Sequence, residues 1–500
     1  MRKLTFICAL AILLGISTAA FAGVQNIRVS GNIDSYYYWS QYDTFYYDAT
    51  ARDESPDITF FATRVGLNFD ADLTENVSGH IKLVNHRAWD LDDGDALAMD
   101  IGIAEAYVTL QNMLYEPLTI TIGRQPLYYG RGFIIGSNVI DPEGQVGIYD
   151  ELSLYDGFDA IKAELNYDPW TLDLVYSLIS ENDADSEDDV RLWLVNLGRE
   201  FDAYNSELEL YYVGLYDDNR TRIHIDRVIN PAISPVQSYY TDANVPAYEQ
   251  HTIGGRGSLS PIENATLYGE IAYQFGDIGD VSVNADNLIT GVTTRDVSAW
   301  GAEVGGDYLF ADVTGEPKIG LCYTFREGEN FNGYGYAQGD YDAFYTPFMR
   351  RSDTVIFGHN GRYNIGNVAG TTGGVPSNLY YKNGDFVNSV DDDDTAWDTN
   401  MHQILVTGSI KPLAYWDIND VNLTAKYAWF QFEESPVSGA DDDAGDELDI
   451  LLTYDYTEDV QFGLTTAWFW PGDYYDRGQP NNQADAELVT QVVGSCKVTF

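Results

Sequence analysis

The stretch "DELDILLTYDY", Asp446 to Tyr456, sets Leu448, Ile450, Leu452, Tyr454 and Tyr456 on one side and Glu447, Asp449, Thr453 and Asp455 on the other. A period of two is the mark of a strand with one apolar and one wet face. The same alternation recurs along the chain. "TRVGLNFDADL" (Thr63 to Leu73) parts Val65, Leu67, Phe69 and Ala71 from Arg64, Gly66, Asn68 and Asp70. "DAIKAELNY" (Asp159 to Tyr167) parts Ile161, Ala163, Leu165 and Tyr167 from Lys162, Glu164 and Asn166. "HTIGGRGSL" (His251 to Leu259) and "ATLYGEIAYQF" (Ala265 to Phe275) put Arg256, Glu270 and Gln274 opposite Ile253, Ile271 and Phe275. No helical periodicity of comparable length accompanies them.

These runs number about eighteen, inside the range of closed outer-membrane barrels. Their connections alternate between short ones (74–76, 168–170, 261–264, 314–316, 457–459) and long ones (41–56, 131–154, 217–247, 277–295, 328–396, 434–444). Both termini fall on the short-turn side, as periplasmic turns and outward loops require. A water-soluble sandwich would alternate in the same way, so other features must decide. Runs of roughly ten residues suit a tilted strand crossing a bilayer. Tyr and Trp gather near strand ends, at Tyr36 to Trp39, Tyr128 and Tyr129, Trp468 and Trp470, and Tyr474 and Tyr475. Such rings collect at the headgroup level.

The N-terminus adds a third feature. Arg2 and Lys3, the apolar run Leu4 to Ile16 and Ala20-Phe21-Ala22 before Gly23 read as a secretory signal peptide over 1–22. The run is shorter than the roughly 20 residues of a spanning helix. The reading is an exported, all-β, transmembrane antiparallel up-and-down barrel, residues 23–500, located in the outer membrane. Cys8 leaves with the signal, and Cys322 and Cys496 are expected as free thiols.

Composition limits the partners. Lys and Arg number 27 against 78 Asp and Glu, a formal charge of −51. That charge repels nucleic-acid phosphates and anionic lipid surfaces. Acidic disordered chains lack aromatics and β-branched residues, whereas this one is 14% aromatic.

The chain ends "ELVTQVVGSCKVTF" (Glu487 to Phe500), with Cys496, Val498 and Phe500 on one face. In a closed barrel the last strand must pair with the first, so Phe500 is expected at the periplasmic interface. This ending also resembles the signal read by the barrel-assembly machinery, and the resemblance implies that role for Cys496, Val498 and Phe500.

A barrel this wide encloses water, so the inward residues carry function. Parity sends Arg64, Lys82, Lys162, Arg256, Lys318, Arg326 and Lys426 inward, with more numerous acids: Glu105, Glu164, Asp173, Glu207, Glu209, Glu270, Glu303, Glu447, Asp449 and Asp455. Either they pair into a lattice along a wet wall, or they form a selectivity surface. A single bulge reverses parity beyond it. Arg124 shows the difficulty, since it shares parity with Ile120 and Ile122.

Four segments resemble the alginate export family of outer-membrane porins. "ITIGRQPLYYGRGFIIGS" (Ile120 to Ser137) is similar to its Gly-Arg-Gln segment, and "LYGEIAYQFG" (Leu267 to Gly276) to its Glu-x-x-x-Gln-x-Gly strand. "EPKIGLCYTFREGE" (Glu316 to Glu329) and "GDELDILLTYDYTEDVQFGLTTAWFWPGD" (Gly445 to Asp473) resemble later hairpins. The resemblance implies an eighteen-stranded barrel passing a polysaccharide or other solute, with Arg124, Gln125, Arg256, Glu270, Glu447 and Asp449 at the lumen or rim. The chain departs from that pattern in its charge. A polyuronate needs an electropositive conduit, and here acids dominate, so a neutral oligosaccharide, a cation or small solutes fit better than alginate. No energy-coupling plug is expected before the first strand.

The connection 328–396 holds Arg350 and Arg351 and a Gly/Asn-rich stretch ending in Asp391 to Asp394; it is either a pore-folding or an external loop. Acid runs at 183–189, 391–394 and 441–443 offer oxygen ligands for Ca²⁺, or bridges to lipopolysaccharide through divalent ions. None has EF-hand spacing, so solvated loop charge is the expectation and no cofactor is implied. His80 and His86 are too far apart to chelate. No hydrolase, metalloprotease or Walker motif is present, so the chain is not expected to be an enzyme. A surface adhesin or structural barrel is the alternative to a channel.

Overall fold

The computed structural model describes residues 26–41, 58–89, 101–136, 157–180, 190–217, 222–226, 240–244, 248–283, 289–328, 339–346, 348–350, 353–357, 400–434, 441–475 and 488–500. The proposed signal 1–22 and the acid runs 183–189 and 391–394 lie outside them. The strands follow in chain order: β1 Asn26–Gln41, β2 Ile58–Thr74, β3 Val77–Ala88, β4 Gly102–Leu110, β5 Leu118–Pro126, β6 Gly157–Tyr167 and β7 Trp170–Ser180. Next come β8 Val190–Phe201, β9 Ser206–Asp217, β10 Arg222–Asp226, β11 Tyr240–Asn244, β12 Tyr248–Leu259, β13 Ala265–Val283 and β14 Ile289–Leu309. The remainder are β15 Lys318–Arg326, β16 Met401–Ile410, β17 Val421–Phe432, β18 Asp443–Thr457, β19 Val460–Pro471 and β20 Val489–Thr499.

Eighteen of these form one antiparallel sheet in which every strand pairs with its sequence neighbour, β12 following β9. The strands β10 and β11 pair only with each other. The sheet closes where β1 meets β20, from Asn32 opposite Thr499 to Gln41 opposite Thr490. Phe500 completes the seam. Its N–H donates to the Gly31 carbonyl at 3.0 Å and its carbonyl accepts the Gly31 N–H at 2.8 Å. Closure leaves no unpaired edge, as a wall crossing hydrocarbon must.

Sidedness follows the alternation. Ile33, Ile81, Ile122, Ile161, Leu210, Ile253, Ile271, Val304, Leu321, Val406, Leu452 and Leu464 are exposed on the outer surface. Exposed aromatics rim this band: Tyr115, Tyr167, Trp170, Tyr204, Tyr415 and Trp416 by the short turns, and Tyr37, Phe61, Trp89, Trp193, Trp300 and Trp470 toward the other end. An apolar belt between aromatic girdles is the lipid-facing surface of a membrane barrel. None of the described helices is long and apolar enough to cross a membrane.

One expected connection is corrected. Residues 277–295 read as a long loop, yet β13 and β14 continue there as a paired ribbon from Asp277 opposite Asp296 to Val283 opposite Ile289. β-branched residues recur through it (Ile278, Val281, Val283, Val292, Thr294) and favour an extended chain. The expected connection 217–247 likewise contains the β10–β11 hairpin.

Bulges interrupt the alternation. The register shifts between Lys82 and Leu83 against β4 and between Phe430 and Gln431 against β18. Gly123 has φ +122°, where a Cβ would sit 2.2 Å from the Ala106 carbonyl oxygen, so only glycine fits.

Candidate functional site

Two outer connections turn back against the inner wall. Residues 127–136, after β5, form the first; residues 339–346, 348–350 and 353–357, between β15 and β16, form a strap. They hold each other: Gly136 N–H donates to the Phe348 carbonyl at 2.6 Å and Arg350 N–H to the Gly132 carbonyl at 2.7 Å. Both carry apolar side chains into a wall that is apolar here on its inner face as well. Phe133, Ile135 and Phe344 pack with Val175, Leu192, Leu194 and Val213, and Phe357 packs with Phe430 and Phe469. Gly130 allows the first loop its path, since a Cβ there would lie 2.3 Å from Arg256 Cδ.

Four wall residues, Gln250, Gln274, Glu303 and Glu447, receive the strap through polar groups. Gln274 Oε1 accepts the Tyr345 N–H at 2.9 Å, and Gln274 Nε2 and Gln250 Nε2 donate to the Tyr345 carbonyl at 2.7 and 3.0 Å. Glu303 meets Arg131 of the first loop at 2.9 Å and Arg350 of the strap at 2.5 Å, and Arg350 also meets Asp353 at 2.9 Å. Glu447 accepts N–H groups from Val355, Ile356 and Phe357 at 2.8, 2.7 and 2.7 Å.

Between β9 and β15 the inward polar residues stand in one cross-strand row: Glu209 opposite Arg256, Arg256 opposite Glu270, Glu270 opposite Glu303, Glu303 opposite Thr324. Arg256 pairs with Glu209, to which Asn196 also donates, and Glu270 accepts the Tyr211 hydroxyl at 2.7 Å. On the opposite arc Arg64 pairs with Asp34 at 2.8 Å, Lys82 with Glu105 at 2.9 Å, and Lys162 with Glu164 and Asp173 at 3.2 and 3.6 Å. His80 lies between Asp70 at 2.8 Å and Glu105 at 3.5 Å. Lys318 meets Asp307 at 3.5 Å near the short turns. Arg326 stacks on Phe133 at 5.1 Å, and Lys426 donates to the Asp353 carbonyl. Asp449 is fully buried opposite Lys426 in register.

Arg124 and Gln125, expected at the lumen or rim, do not line the lumen. Arg124 stands on the outward-facing side with Ile122 and Ile161, bonded to Asp159 at 2.8 Å and to the Ile103 carbonyl at 3.3 Å. The parity that set it beside Ile122 is real, and the acid on the next strand is what makes the position tolerable. Gln125 is buried, and its amide donates to the carbonyls of Thr121, Gly123 and Ala160, supporting the irregular strand end. At the seam, Cys496 lies opposite Ser35 and Phe462, and the Phe500 ring rests over Gly31. Cys322 and Cys496 are free thiols.

The alternation gave no sign of Arg131, Gln250, Gln274 or Asp353 as wall-to-loop contacts. The one available signal was the glycine pair Gly130 and Gly132 flanking Arg131, with φ +57° and +76°, which marks a chain forced through tight space. At the outer mouth Glu327 accepts the Trp300 N–H at 2.8 Å, and its carbonyl takes N–H groups from Phe344 and Asn400. Burial, reinforced by Asp342 and Glu433 and opposed by the Trp300 N–H, pushes the Glu327 carboxyl up to about 7. Among the described acid-run residues, Asp441 accepts the Asp443 N–H, Asp443 the Gly445 N–H and Asp442 the Gln431 amide. Those carboxylates serve the protein's own chain.

The family profile described as alginate export matches residues 27–375. Among solved structures, Pseudomonas aeruginosa OccK9 (OpdG) is similar with TM-score 0.51 and 11% identity over 95% of this chain and 99% of that one. Pseudomonas aeruginosa OccK11 (OpdR) gives TM-score 0.50 and 10% identity over 95% and 96%. At such identity the likeness bears on the fold alone. No curated protein matches the chain. With the closed barrel and its lipid-facing belt, the family match places this protein in the outer membrane as a non-enzymatic channel: the chain belongs to the alginate export family.

Proposed function

We propose that the channel passes uncharged oligosaccharides, cations and other small hydrophilic solutes passively and disfavours polyanions. The supporting observation is the pairing of the inward bases. Arg64, Lys82, Lys162, Arg256, Lys318, Arg131 and Arg350 each lie against a carboxylate. A polyuronate needs a continuous run of available positive charge to offset its own repulsion, and these bases are already neutralised. Among the described residues Glu207 is exposed on the inward side, and the half-buried Glu164 shares the single Lys162 with Asp173, leaving a negative field toward the short-turn mouth. Residues 1–22 act in this reading as a cleaved signal, and Cys496, Val498 and Phe500 as the seam element handed to the assembly machinery. Lipopolysaccharide is the proposed neighbour of the outward Arg124–Asp159 position.

Liposome swelling tests the substrate class. Proteoliposomes should swell in neutral di- and trisaccharides and in amino sugars, and more slowly in uronate oligomers of equal size. Equal or faster uptake of the uronates would defeat the proposal.

A further inference from the structure

Glu447, expected on the inward wall as part of either a paired lattice or a selectivity surface, is 1% exposed and bonded to the strap. Its Oε1 accepts the N–H groups of Val355 and Ile356, and its Oε2 that of Phe357. The Thr354 hydroxyl donates to the Phe357 carbonyl at 2.5 Å and closes the turn, while Lys426 holds the Asp353 carbonyl. Successive N–H groups converging on one point make an anion-binding concavity. A carboxylate, with acceptors only and two oxygens, fills it as no neutral side chain does.

We infer that Glu447 is a positioning residue that sets the bore and size limit of the channel by latching the strap, and not by presenting charge to what passes. The inference rests on the channel reading above. The geometry is directional: both oxygens of Glu447 accept strap N–H groups, and the turn so held packs Phe357 against Phe430 and Phe469 of the wall at 4.2 and 5.3 Å, with Ile356 in the same cluster. Removing the carboxylate leaves the N–H donors of Val355, Ile356 and Phe357 without their acceptor, with the buried Asp449 beside Val355 as the neighbouring carboxyl. That costs most of what keeps residues 353–357 seated, so a shift toward the released strap on the order of a hundredfold follows from losing three hydrogen bonds.

The test uses full-length protein in planar bilayers and liposomes, comparing wild type with Glu447→Ala and Glu447→Gln. Both variants should raise unitary conductance and admit larger neutral saccharides. In the Glu447→Ala protein, added formate should restore the wild-type conductance, whereas formamide, its neutral counterpart of similar size, should not. A Val355→Cys probe should react with a maleimide faster when combined with Glu447→Ala than alone, with buried Cys322 as the internal reference. Should Glu447→Ala fail to fold, Glu447→Gln supplies the conductance and size-limit readouts and, combined with Val355→Cys, the labelling readout. Conducting variants with unchanged bore and labelling would overturn the latch while leaving the channel intact. Equal rescue by formate and formamide would overturn it too, because simple filling of space would then suffice. A wild-type protein without conductance would instead strike the channel reading itself.

Discussion

Glu303→Gln should release both inward loops while the barrel stands. The Glu303 carboxylate is 1% exposed and joins Arg131 and Arg350, which arrive on separate loops. Breaking a buried pair by removing one partner costs about 3–5 kcal/mol. Arg131 is 44% exposed, so its share falls in the surface range of about 0–1 kcal/mol. Arg350 retains Asp353 after the change, which holds the total near the lower end, about 3 kcal/mol. That corresponds to roughly a 150-fold rise in the released strap. Trypsin cleavage at Arg350 in folded, detergent-solubilised protein reads it, because cleavage follows the open population when reclosing is fast. The barrel should keep its folded mobility in unheated gels. Cleavage should rise by about two orders of magnitude, and Arg131→Ala alone should raise it only a few-fold. A folded Glu303→Gln protein cleaved at the wild-type rate would show that the two-arginine clamp does not hold the loops.

Three other predictions follow from the same geometry. Because the Glu327 carboxyl is raised from 4.5 to about 7, the folded junction binds a proton that the released one gives up. The strap is therefore steadier as pH falls from 8 toward 5 and looser as pH rises through 7; current noise should track this in wild type and lose its pH dependence in Glu327→Gln. Removing Phe500 deletes both backbone bonds to Gly31 and should slow membrane assembly, measured as a longer lag to the folded gel form, with little change in conductance once inserted. Glu164→Lys with Glu207→Lys should move the reversal potential in a salt gradient toward anions, while Glu447→Gln should chiefly widen the bore; reversal potentials unmoved by the lysines would exclude the short-turn acids from permeation.

The barrel was legible because its outer face solves one problem everywhere. Leu452, Tyr454 and Tyr456 meet lipid while Glu447, Asp449 and Asp455 turn away, and the sequence writes that as period two. Where the loops fold in, the pattern fades for a physical reason. In "RLWLVNLG" of β8, Leu192 and Leu194 face the loops while Trp193 and Val195 face lipid, and a strand buried on both faces reads as a continuous apolar run. Charges were assigned a face by parity, but parity does not name a partner. Glu447 finds backbone some ninety residues upstream, in a stretch without periodicity. Arg124 is explained by Asp159, a cross-strand neighbour 35 positions away that only the register identifies.

Single-channel recording under a potassium chloride gradient tests the central claim most directly. Wild-type protein in a planar bilayer should give stable ohmic steps and a reversal potential on the cation side. Folded, inserted protein that gives no steps, or steps reversing on the anion side, would contradict a passive conduit with a neutralised, acid-leaning wall.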